Sequence, residues 1–249
     1  MVGFPPVGPK YGYPNVSDSF PRKLFLAAIF ADCLRENMGL PRIILADDHA
    51  LFAEALCRLI APSVEVVATV GDGRALLEAA LRLRPDVVVL DVAMPLLNGL
   101  DAGRELKKKL STVKLIFLTM NEDPELAVEA MRAGASGFLL KTSAGAELFT
   151  AIRDALKGKK YITPQIARGM QECFIQDPRG VRLEKSFTTR QREVVQLLVE
   201  GKPMKVVADI LRIAPRTVAF HKYRVMQIHG IKTNAELVQF AIRNRIIIQ

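Results

Sequence analysis

Acidic, hydroxyl and amino side chains follow short apolar runs in the first part of this 249-residue chain. In chain order, these side chains are Asp47, Asp48, Asp91, Thr119 and Lys141. If the runs are parallel strands of one sheet, their carboxyl ends meet at one edge, and all five side chains lie together there. Three carboxylates at short range repel one another strongly unless a cation neutralises them. The spacing therefore predicts a binding site at this edge.

The chemistry of that site follows from its ligands. Mg²⁺ suits a cluster of carboxylates, because it binds hard oxygen ligands and keeps several of its waters. A bound metal attracts a phosphoryl group, whose remaining oxygens Lys141 and Thr119 can bind. An aspartate can itself be the nucleophile and form an aspartyl phosphate, while the metal and the lysine stabilise the transition state. Each residue alone is more often a helix cap or a surface charge, but five at the correct strand ends favour a function.

The elements that position this edge alternate between strand and helix. Apolar runs begin at Ile43, Val64, Val87, Val113 and Ser136, at intervals of 21 to 26 residues. The segments between them have helical periodicity. Three of the runs are continuously apolar, as strands buried on both faces are. This pattern predicts an α/β domain with a flavodoxin-like, five-stranded parallel sheet in the order 2-1-3-4-5.

The last part of the chain has a different pattern, with four short predicted helices. Thr188 and Gln191 form a capping box at the first helix, and Pro203 and Pro215 open the second and third. A tight turn of three residues, 212–214, separates the second helix from the third, which is typical of a helix-turn-helix. Residues 185–249 carry 12 basic and 4 acidic side chains, a net charge of +8. The sequence therefore predicts a small all-α, four-helix, nucleic-acid-binding domain.

Charge and composition bound the remaining possibilities. Residues 42–156 carry 13 basic and 16 acidic side chains, a net charge of −3, so the two domains have opposite electrostatics. The three cysteines are widely spaced and form no CxxC pair, which excludes a disulfide framework or a cysteine zinc site and suits a cytoplasmic location. No apolar run reaches the roughly 18–20 residues that a membrane span needs, so we expect no membrane partner.

We predict four regions along the chain. Residues 1–40 are a disordered segment, or an extension that precedes a true start at Met38; a weak signal peptide over 22–37 is the alternative. Residues 41–157 form the α/β domain. Residues 158–184 form a linker with at most one short helix, and residues 185–249 form the helical domain.

The α/β domain resembles a response-regulator receiver domain. The resemblance lies in the strand-end sequences ILADDH (44–49), VLDVAMP (89–95), Asn98-Gly99, Leu118-Thr119 and GFLLK (137–141). Residues 185–249 resemble a LuxR-type helix-turn-helix, and the pairing of the two domains is that of the NarL/FixJ family. The resemblance covers about 180 of the 249 residues and leaves the first forty outside it.

The resemblance implies specific roles at the acidic edge. It implies that Asp91 accepts a phosphoryl group from a sensor histidine kinase. It also implies that Asp48 and Asp91 bind Mg²⁺ directly, together with the backbone carbonyl of Ala93, and that Asp47 acts through water. The protein is then a phosphoacceptor with at most slow self-dephosphorylation, and not an enzyme.

The resemblance further implies a switch formed by Thr119 and Phe138. When Thr119 moves toward the phosphoryl group, the Phe138 ring turns inward to fill the space, and the nearby surface changes shape. Phosphorylation adds about −1.5 to −2 units of charge. It shifts a two-state receiver only through contacts that are better in one state, here those with Thr119 and Lys141. We expect the shifted receiver either to release its DNA-binding domain or to bring the DNA-binding domains of two copies together.

The third helix of the basic domain is the predicted recognition helix, because this helix of a helix-turn-helix enters the major groove. Its basic side chains suit phosphates and guanine, and Phe220 suits a thymine methyl group. A basic helix face alone is as typical of solvation, but its place after a tight turn favours DNA. The candidate contacts are Lys205, Arg216, Thr217, Ala219, Phe220, His221, Lys222, Tyr223 and Arg224.

Two departures from the family pattern concern base specificity. The family usually has an Asn before the lysine that corresponds to Lys205, and this chain has Met204 there. The family often has a charged residue where this chain has Ala219. His221 is expected to be structural or to contact a phosphate.

Together these patterns predict a two-component response regulator that binds double-stranded promoter DNA, with RNA polymerase as a further partner. One recognition helix reads only a few base pairs, so we expect a homodimer on DNA, with the fourth helix (Leu237, Phe240, Ala241) as candidate interface. One alternative is a DNA-binding regulator with a vestigial, phosphorylation-independent receiver. Another is an aspartyl-phosphate hydrolase on the same fold, which Ala93 disfavours because such enzymes use a second Asp at that position.

Overall fold

The first domain is a parallel sheet covered by helices on both faces. The computed structural model describes residues 39–176 and 187–247. Within the first range the sheet order is β2-β1-β3-β4-β5-β6, and every neighbouring pair is parallel. The strands are β1 (Arg42–Ala46), β2 (Glu65–Val70), β3 (Val87–Asp91), β4 (Lys114–Thr119), β5 (Gly137–Leu140) and β6 (Tyr161–Ile162).

Helices connect these strands and supply two cores, one on each face of the sheet. All five residues of β3 are buried, as its continuous apolar run predicts. Alternate residues of β4 face opposite cores, with Phe117 in one and Ile116 in the other. The helices are α1 (Ala50–Ile60), α2 (Gly73–Leu83), α3 (Gly99–Lys109), α4 (Pro124–Arg132), α5 (Ala144–Leu156) and α6 (Pro164–Gln176).

The predicted α/β class and the order of the first five strands are confirmed, but the predicted count of five strands was wrong. A sixth strand, β6, pairs with β5 through Gly137 and Phe138. It has only two residues, too few to leave a periodic pattern. Helix α6 follows it within the predicted linker, and Ile166 is buried in the core of the first domain. The rest of the predicted linker, residues 177–184, lies outside the described residues, as do residues 1–38 and the first two residues of the predicted helical domain, 185 and 186.

The second domain contains the four predicted helices. The capping box of Thr188 and Gln191 is present at the first helix. Arg212 has a left-handed backbone (φ 52°) that makes the tight turn before the third helix. The helices are α7 (Thr189–Val199), α8 (Met204–Leu211), α9 (Pro215–His229) and α10 (Asn234–Arg243). Among all the helices of the described ranges, none has the length and hydropathy to cross a membrane.

Candidate functional site

Four potential ligands meet where β1 and β3 end. Asp91 is the last residue of β3, and Asp47, Asp48 and His49 link β1 to α1. One ligand atom from each lies within 4.8 Å of the others. Asp47 and Asp91 are buried while Asp48 is exposed, so the cluster opens to solvent on one side. This set of carboxylate oxygens fits a hard cation such as Mg²⁺.

Lys141 partly neutralises the acidic cluster. Its Nζ lies 2.7 Å from Oδ2 of Asp47 and 2.8 Å from Oδ2 of Asp91. Burial lowers the pKa of Lys141, but the hydrogen bonds and charges of the two carboxylates outweigh burial and raise it. Burial raises the pKa of Asp91, although its hydrogen bond to Lys141 opposes that rise. The ring of Phe52 covers the ammonium, with its centroid 5.0 Å from Nζ.

Thr119 and Phe138, the predicted switch pair, lie on neighbouring strands. Thr119 ends β4 and is buried, and its hydroxyl accepts a hydrogen bond of 3.0 Å from the backbone N–H of Asn121. The Phe138 ring is fully buried, in the same core cluster as Leu126 of α4 and Ile166 of α6. The Phe138 side chain is therefore enclosed in the core of the first domain. The switching roles of both residues stay predictions.

The loop after Asp91 (residues 92–98, the β3–α3 loop) folds back tightly on the strand. The backbone N–H of Ala93 donates to Oδ1 of Asp91 at 3.2 Å, while the predicted metal contact of the Ala93 carbonyl stays a prediction. The N–H of Gly99 donates to the carbonyl of Val92 at 2.9 Å. A Cβ on Gly99 would lie 2.0 Å from the carbonyl oxygen of Asp91, so only glycine fits this approach.

We expect Gly99→Ala to displace the backbone of Asp91. The added methyl group cannot fit, so the free energy of unfolding falls by about 1–3 kcal/mol, the usual effect of overpacking. Gly145→Ala in α5 is the matched control, because nothing lies within 4 Å of its Cβ position. Chemical denaturation measures both variants, and equal stability of Gly99→Ala and the wild type would contradict the expectation.

Two residues of the site have no role in the sequence analysis. Nδ1 of His49 lies 2.9 Å from Oδ1 of Asp48, and its backbone N–H donates to Oδ1 of Asp47 at 2.9 Å. Phe52 faces Lys141 from the first turn of α1. Their positions directly after the Asp pair are the available signal, since residues that begin a helix after a strand end line the same edge.

Some of the predicted DNA contacts are exposed, and the others, Lys222 among them, are half-buried. Phe220 and Tyr223 on α9 are 63% and 58% exposed, unusual values for aromatic side chains. Arg216 and Arg224 are also exposed, and Nζ of Lys222 lies 5.5 Å from the centre of the Tyr223 ring. The remaining candidates on α9, which are Thr217, Ala219 and His221, are half-buried, and Lys205 is exposed on α8.

His221 has a structural environment. Burial lowers its pKa, and the charge of Arg190 lowers it further. Both effects disfavour the charged form of the His221 imidazole. Both parts of the expectation for His221, a structural role or a phosphate contact, stay predictions.

Two of the three residues predicted for an interface on the fourth helix are not available to a second copy, although the helix has an exposed face that includes Glu236 and Gln239. Leu237 and Ala241 are buried in the core of their own domain, so they are not available to a second copy. Phe240 is half-buried, with its ring centre 4.6 Å from that of His229. Helical periodicity marks the apolar face of α10 correctly, but it does not tell an intramolecular contact from an intermolecular one. The expected homodimer on DNA stays a prediction.

The two domains meet at the β3–α3 loop, next to Asp91. Gln196 of α7 is buried there. Its side-chain oxygen accepts the backbone N–H of Asn98 at 3.0 Å, and its amide donates to the carbonyl of Met94 at 3.1 Å. The carboxylate of Glu200 accepts the backbone N–H of Leu96 at 3.1 Å. We call these hydrogen bonds the docking contact.

Ion pairs surround the docking contact. Arg74 of α2 binds Glu193 of α7 at 2.8 Å. Arg245, after α10, lies 2.6 Å from both Asp123 and Glu125 of the first domain. None of the named pairs, within the described residues, involves α9. The docked arrangement therefore leaves the predicted DNA surface open.

Comparison with known proteins finds both predicted domains. Residues 43–153 match the family described as response regulator receiver domain, and residues 185–241 match bacterial regulatory proteins of the luxR family. The uncharacterized transcriptional regulatory protein YxjL of Bacillus subtilis is 33% identical over 211 residues, covering 83% of this chain and 97% of the relative. The probable transcriptional regulatory protein NarL of Mycobacterium tuberculosis is 30% identical over 208 residues, covering 83% and 95%.

Solved structures give the same comparison in three dimensions. A two-component response regulator of the LuxR family from Aurantimonas is 33% identical, with a TM-score of 0.53, and covers 55% of this chain and 99% of its own. The response regulator RcsB of Salmonella typhimurium is 21% identical, with a TM-score of 0.56, over 85% of this chain and 100% of its own. The second likeness is one of fold alone.

Proposed function

Because the chain belongs to the NarL/FixJ family of response regulators, with a receiver domain and a LuxR-type helix-turn-helix domain, we propose that Asp91 is its phosphoacceptor. A sensor histidine kinase supplies the phosphoryl group, and phosphorylation controls the binding of promoter DNA. The observation that carries this proposal is the buried pair of Asp47 and Asp91 bridged by the Lys141 ammonium. Asp48 stands beside them on the solvent side.

Each residue of the site has its own role in the phosphoryl transfer. An oxygen of Asp91 forms a bond to phosphorus, while the bond from phosphorus to the donor's leaving atom breaks. Asp47, Asp48, Asp91 and the carbonyl of Ala93 would hold Mg²⁺, which when bound supplies positive charge to the transferring oxygens. Lys141, already in contact with Asp91, binds one of those oxygens, and the Thr119 hydroxyl binds another.

The docking contact offers a route from Asp91 to the DNA-binding domain. Asp48, Met94, Gln196 and Glu200 line one cavity of about 260 Å³ between the acidic cluster and α7. A phosphoryl group on Asp91 adds about −1.5 to −2 units of charge beside this cavity. The added charge repels the Glu200 carboxylate, and this repulsion weakens the contact between α7 and the β3–α3 loop. Phosphorylation therefore shifts the domains away from the docked arrangement.

The exposed face of α9 is the DNA-reading surface in this proposal. Arg216, Lys222 and Arg224 contact phosphates and guanine, and Phe220 contacts a thymine methyl group. Two copies bind a two-fold site, since one helix reads only a few base pairs. The protein works in the cytoplasm, where its DNA and RNA polymerase are.

We expect Arg216→Ala and Phe220→Ala to weaken DNA binding in different ways. Arg216→Ala removes a phosphate contact, so affinity falls for all sequences and the salt dependence (d log K/d log[salt]) becomes shallower by about 1. Phe220→Ala instead relaxes discrimination at a thymine position, with a loss of about 1–3 kcal/mol for the preferred site. Arg243→Ala, an exposed cation on α10, is the control. Salt titrations of binding to selected fragments measure all three, and identical salt dependence for Arg216→Ala and the wild type would remove Arg216 from the contact set.

One experiment separates the proposal from its alternatives. The full chain is incubated with acetyl phosphate and Mg²⁺, and its mass and its affinity for selected genomic fragments are measured before and after. The proposal predicts one added phosphoryl group per chain and a change in DNA affinity. Absence of labelling with unchanged DNA binding supports a vestigial receiver. Rapid turnover of unrelated phosphoesters supports a hydrolase on the same fold.

A further inference from the structure

Thr163 is a buried residue between β6 and α6, and it is not one of the predicted site residues. Its hydroxyl donates a hydrogen bond to Oε2 of Glu147 at 2.7 Å. The same oxygen accepts a hydrogen bond from the backbone N–H of Leu140 at 3.3 Å. It also lies 3.3 Å from the Ser143 hydroxyl. The three partners belong to the end of β5 and the start of α5, the segment that carries Lys141.

A threonine before a proline at a helix start usually caps that helix with its hydroxyl. Thr163 occupies that position before Pro164, yet its hydroxyl bonds point away from α6 and toward Leu140 and Glu147. Only its backbone carbonyl serves the helix, by accepting the N–H of Ala167 at 3.0 Å. The Thr163 side chain therefore binds the segment that joins β5 to α5 and does not cap α6.

The hydroxyl continues the hydrogen-bonding ladder beyond the end of β6. Directly after β6, the backbone N–H of Thr163 donates to the carbonyl of Phe138 in β5 at 3.0 Å. The next donor on that side of β5 is the N–H of Leu140, and the Thr163 side chain accepts it. On the opposite side, the N–H of Lys141 donates to the carbonyl of Thr119 at 2.8 Å. The backbone that precedes the Lys141 side chain is thus held on both sides.

We propose that Thr163 is a positioning residue that holds the backbone of Leu140 and Lys141 so that the Lys141 ammonium meets the phosphoryl group on Asp91. The proposal rests on the proposed function of Asp91. In the reaction, acetyl phosphate transfers its phosphoryl group to an Asp91 oxygen and acetate leaves. Lys141 stabilises the charge on the transferring oxygens, and a small displacement of its ammonium weakens that contact.

Thr163→Val tests the proposal, because valine keeps the shape and removes the hydroxyl. The N–H of Leu140 and the Glu147 carboxylate then lose a partner. We expect the rate constant for Asp91 labelling at saturating acetyl phosphate to fall about tenfold. Thr163→Ser restores the hydroxyl and the wild-type rate. Ser63→Ala removes another buried hydroxyl, after α1 at the opposite end of the sheet, and is expected to label at the wild-type rate.

A double-mutant cycle with Lys141→Ala distinguishes positioning from a structural role. If Thr163 acts through the lysine, Thr163→Val causes no further loss once Lys141 is alanine. If its role is only structural, the tenfold loss persists in that background, and the proposal is overturned. Labelling of Thr163→Val at the wild-type rate overturns it as well. Should Thr163→Val fail to fold, as judged by circular dichroism, Glu147→Gln weakens the charge-assisted bond to Thr163. It is expected to lower the rate about threefold, and only when Lys141 is present.

The outcome also separates this proposal from the one on which it rests. A wild-type chain that takes no phosphoryl group overturns the proposed function and the role of Thr163 with it. A labelled wild type with an equally labelled Thr163→Val variant overturns the role of Thr163 alone.

Discussion

We expect Asp91→Asn to abolish phosphorylation of this chain by acetyl phosphate in the presence of Mg²⁺. The amide cannot attack phosphorus, and it also removes the negative charge that binds Lys141 at 2.8 Å. Loss of a nucleophile that acts with its neighbours as a unit lowers rates by at least about 10³-fold. The measurement is the intact mass of the protein after incubation with the donor. Labelling of Asp91→Asn at the wild-type rate would falsify the assignment of the phosphoacceptor.

The matched control makes the same chemical change at another strand-to-helix junction. Asp72 caps α2 and accepts the backbone N–H groups of Arg74 and Ala75 at 2.8 Å. Asparagine caps as well as aspartate, so Asp72→Asn is expected to leave labelling and stability unchanged. Asp48→Asn gives an intermediate result, because it keeps the nucleophile but removes a predicted metal ligand. We expect that variant to need more Mg²⁺ for the same rate.

The second large effect concerns the contact between the domains. Gln196→Ala leaves the buried N–H of Asn98 and the carbonyl of Met94 without their partners in the docked arrangement. Each unsatisfied group costs about 1–3 kcal/mol, so the equilibrium shifts toward the undocked arrangement by about tenfold or more. Small-angle X-ray scattering of the unphosphorylated chain then reports a larger radius of gyration.

Phosphorylated wild type is expected to expand in the same direction as Gln196→Ala. Gln239→Ala on the exposed side of α10 is the control and is expected to scatter as the wild type does. A Gln196→Ala variant with an unchanged radius of gyration would show that the docking contact does not hold the domains together.

The acidic site was predictable because a parallel sheet gathers residues at its edge. Asp47, Asp91 and Lys141 lie far apart in the chain, yet each follows an apolar run, and the topology rule alone brings them together. The strand β6 was not predictable, because a two-residue strand has no periodicity. The role of Thr163 was not predictable either, because a Thr-Pro sequence indicates an ordinary helix cap.

The docking contact could not be predicted for a different reason. Gln196 lies 98 residues from its partner Asn98, and the contact is one of surface shape and paired amides. Such a residue interrupts the apolar face of α7, between the buried Val195 and Leu197. A glutamine among the apolar residues of α7 is the sign in the sequence of a polar partner outside the domain.

The shared use of the β3–α3 loop limits how these domains can be exchanged in evolution. Its residues 94, 96 and 98 follow Asp91 within a few positions and bind α7 through backbone groups. The backbone partners at 94 and 96 do not depend on the side chains there, but the buried Asn98 side chain also donates to Gln196 and to the carbonyl of Ile246, so the receiver can diverge at 94 and 96 and is constrained at 98. The DNA-binding half is constrained as well, because the amide at position 196 satisfies a donor and an acceptor together. A chimera that joins this receiver to a foreign helix-turn-helix is therefore expected to fold in both halves and yet to lose the communication between them, unless it carries that glutamine.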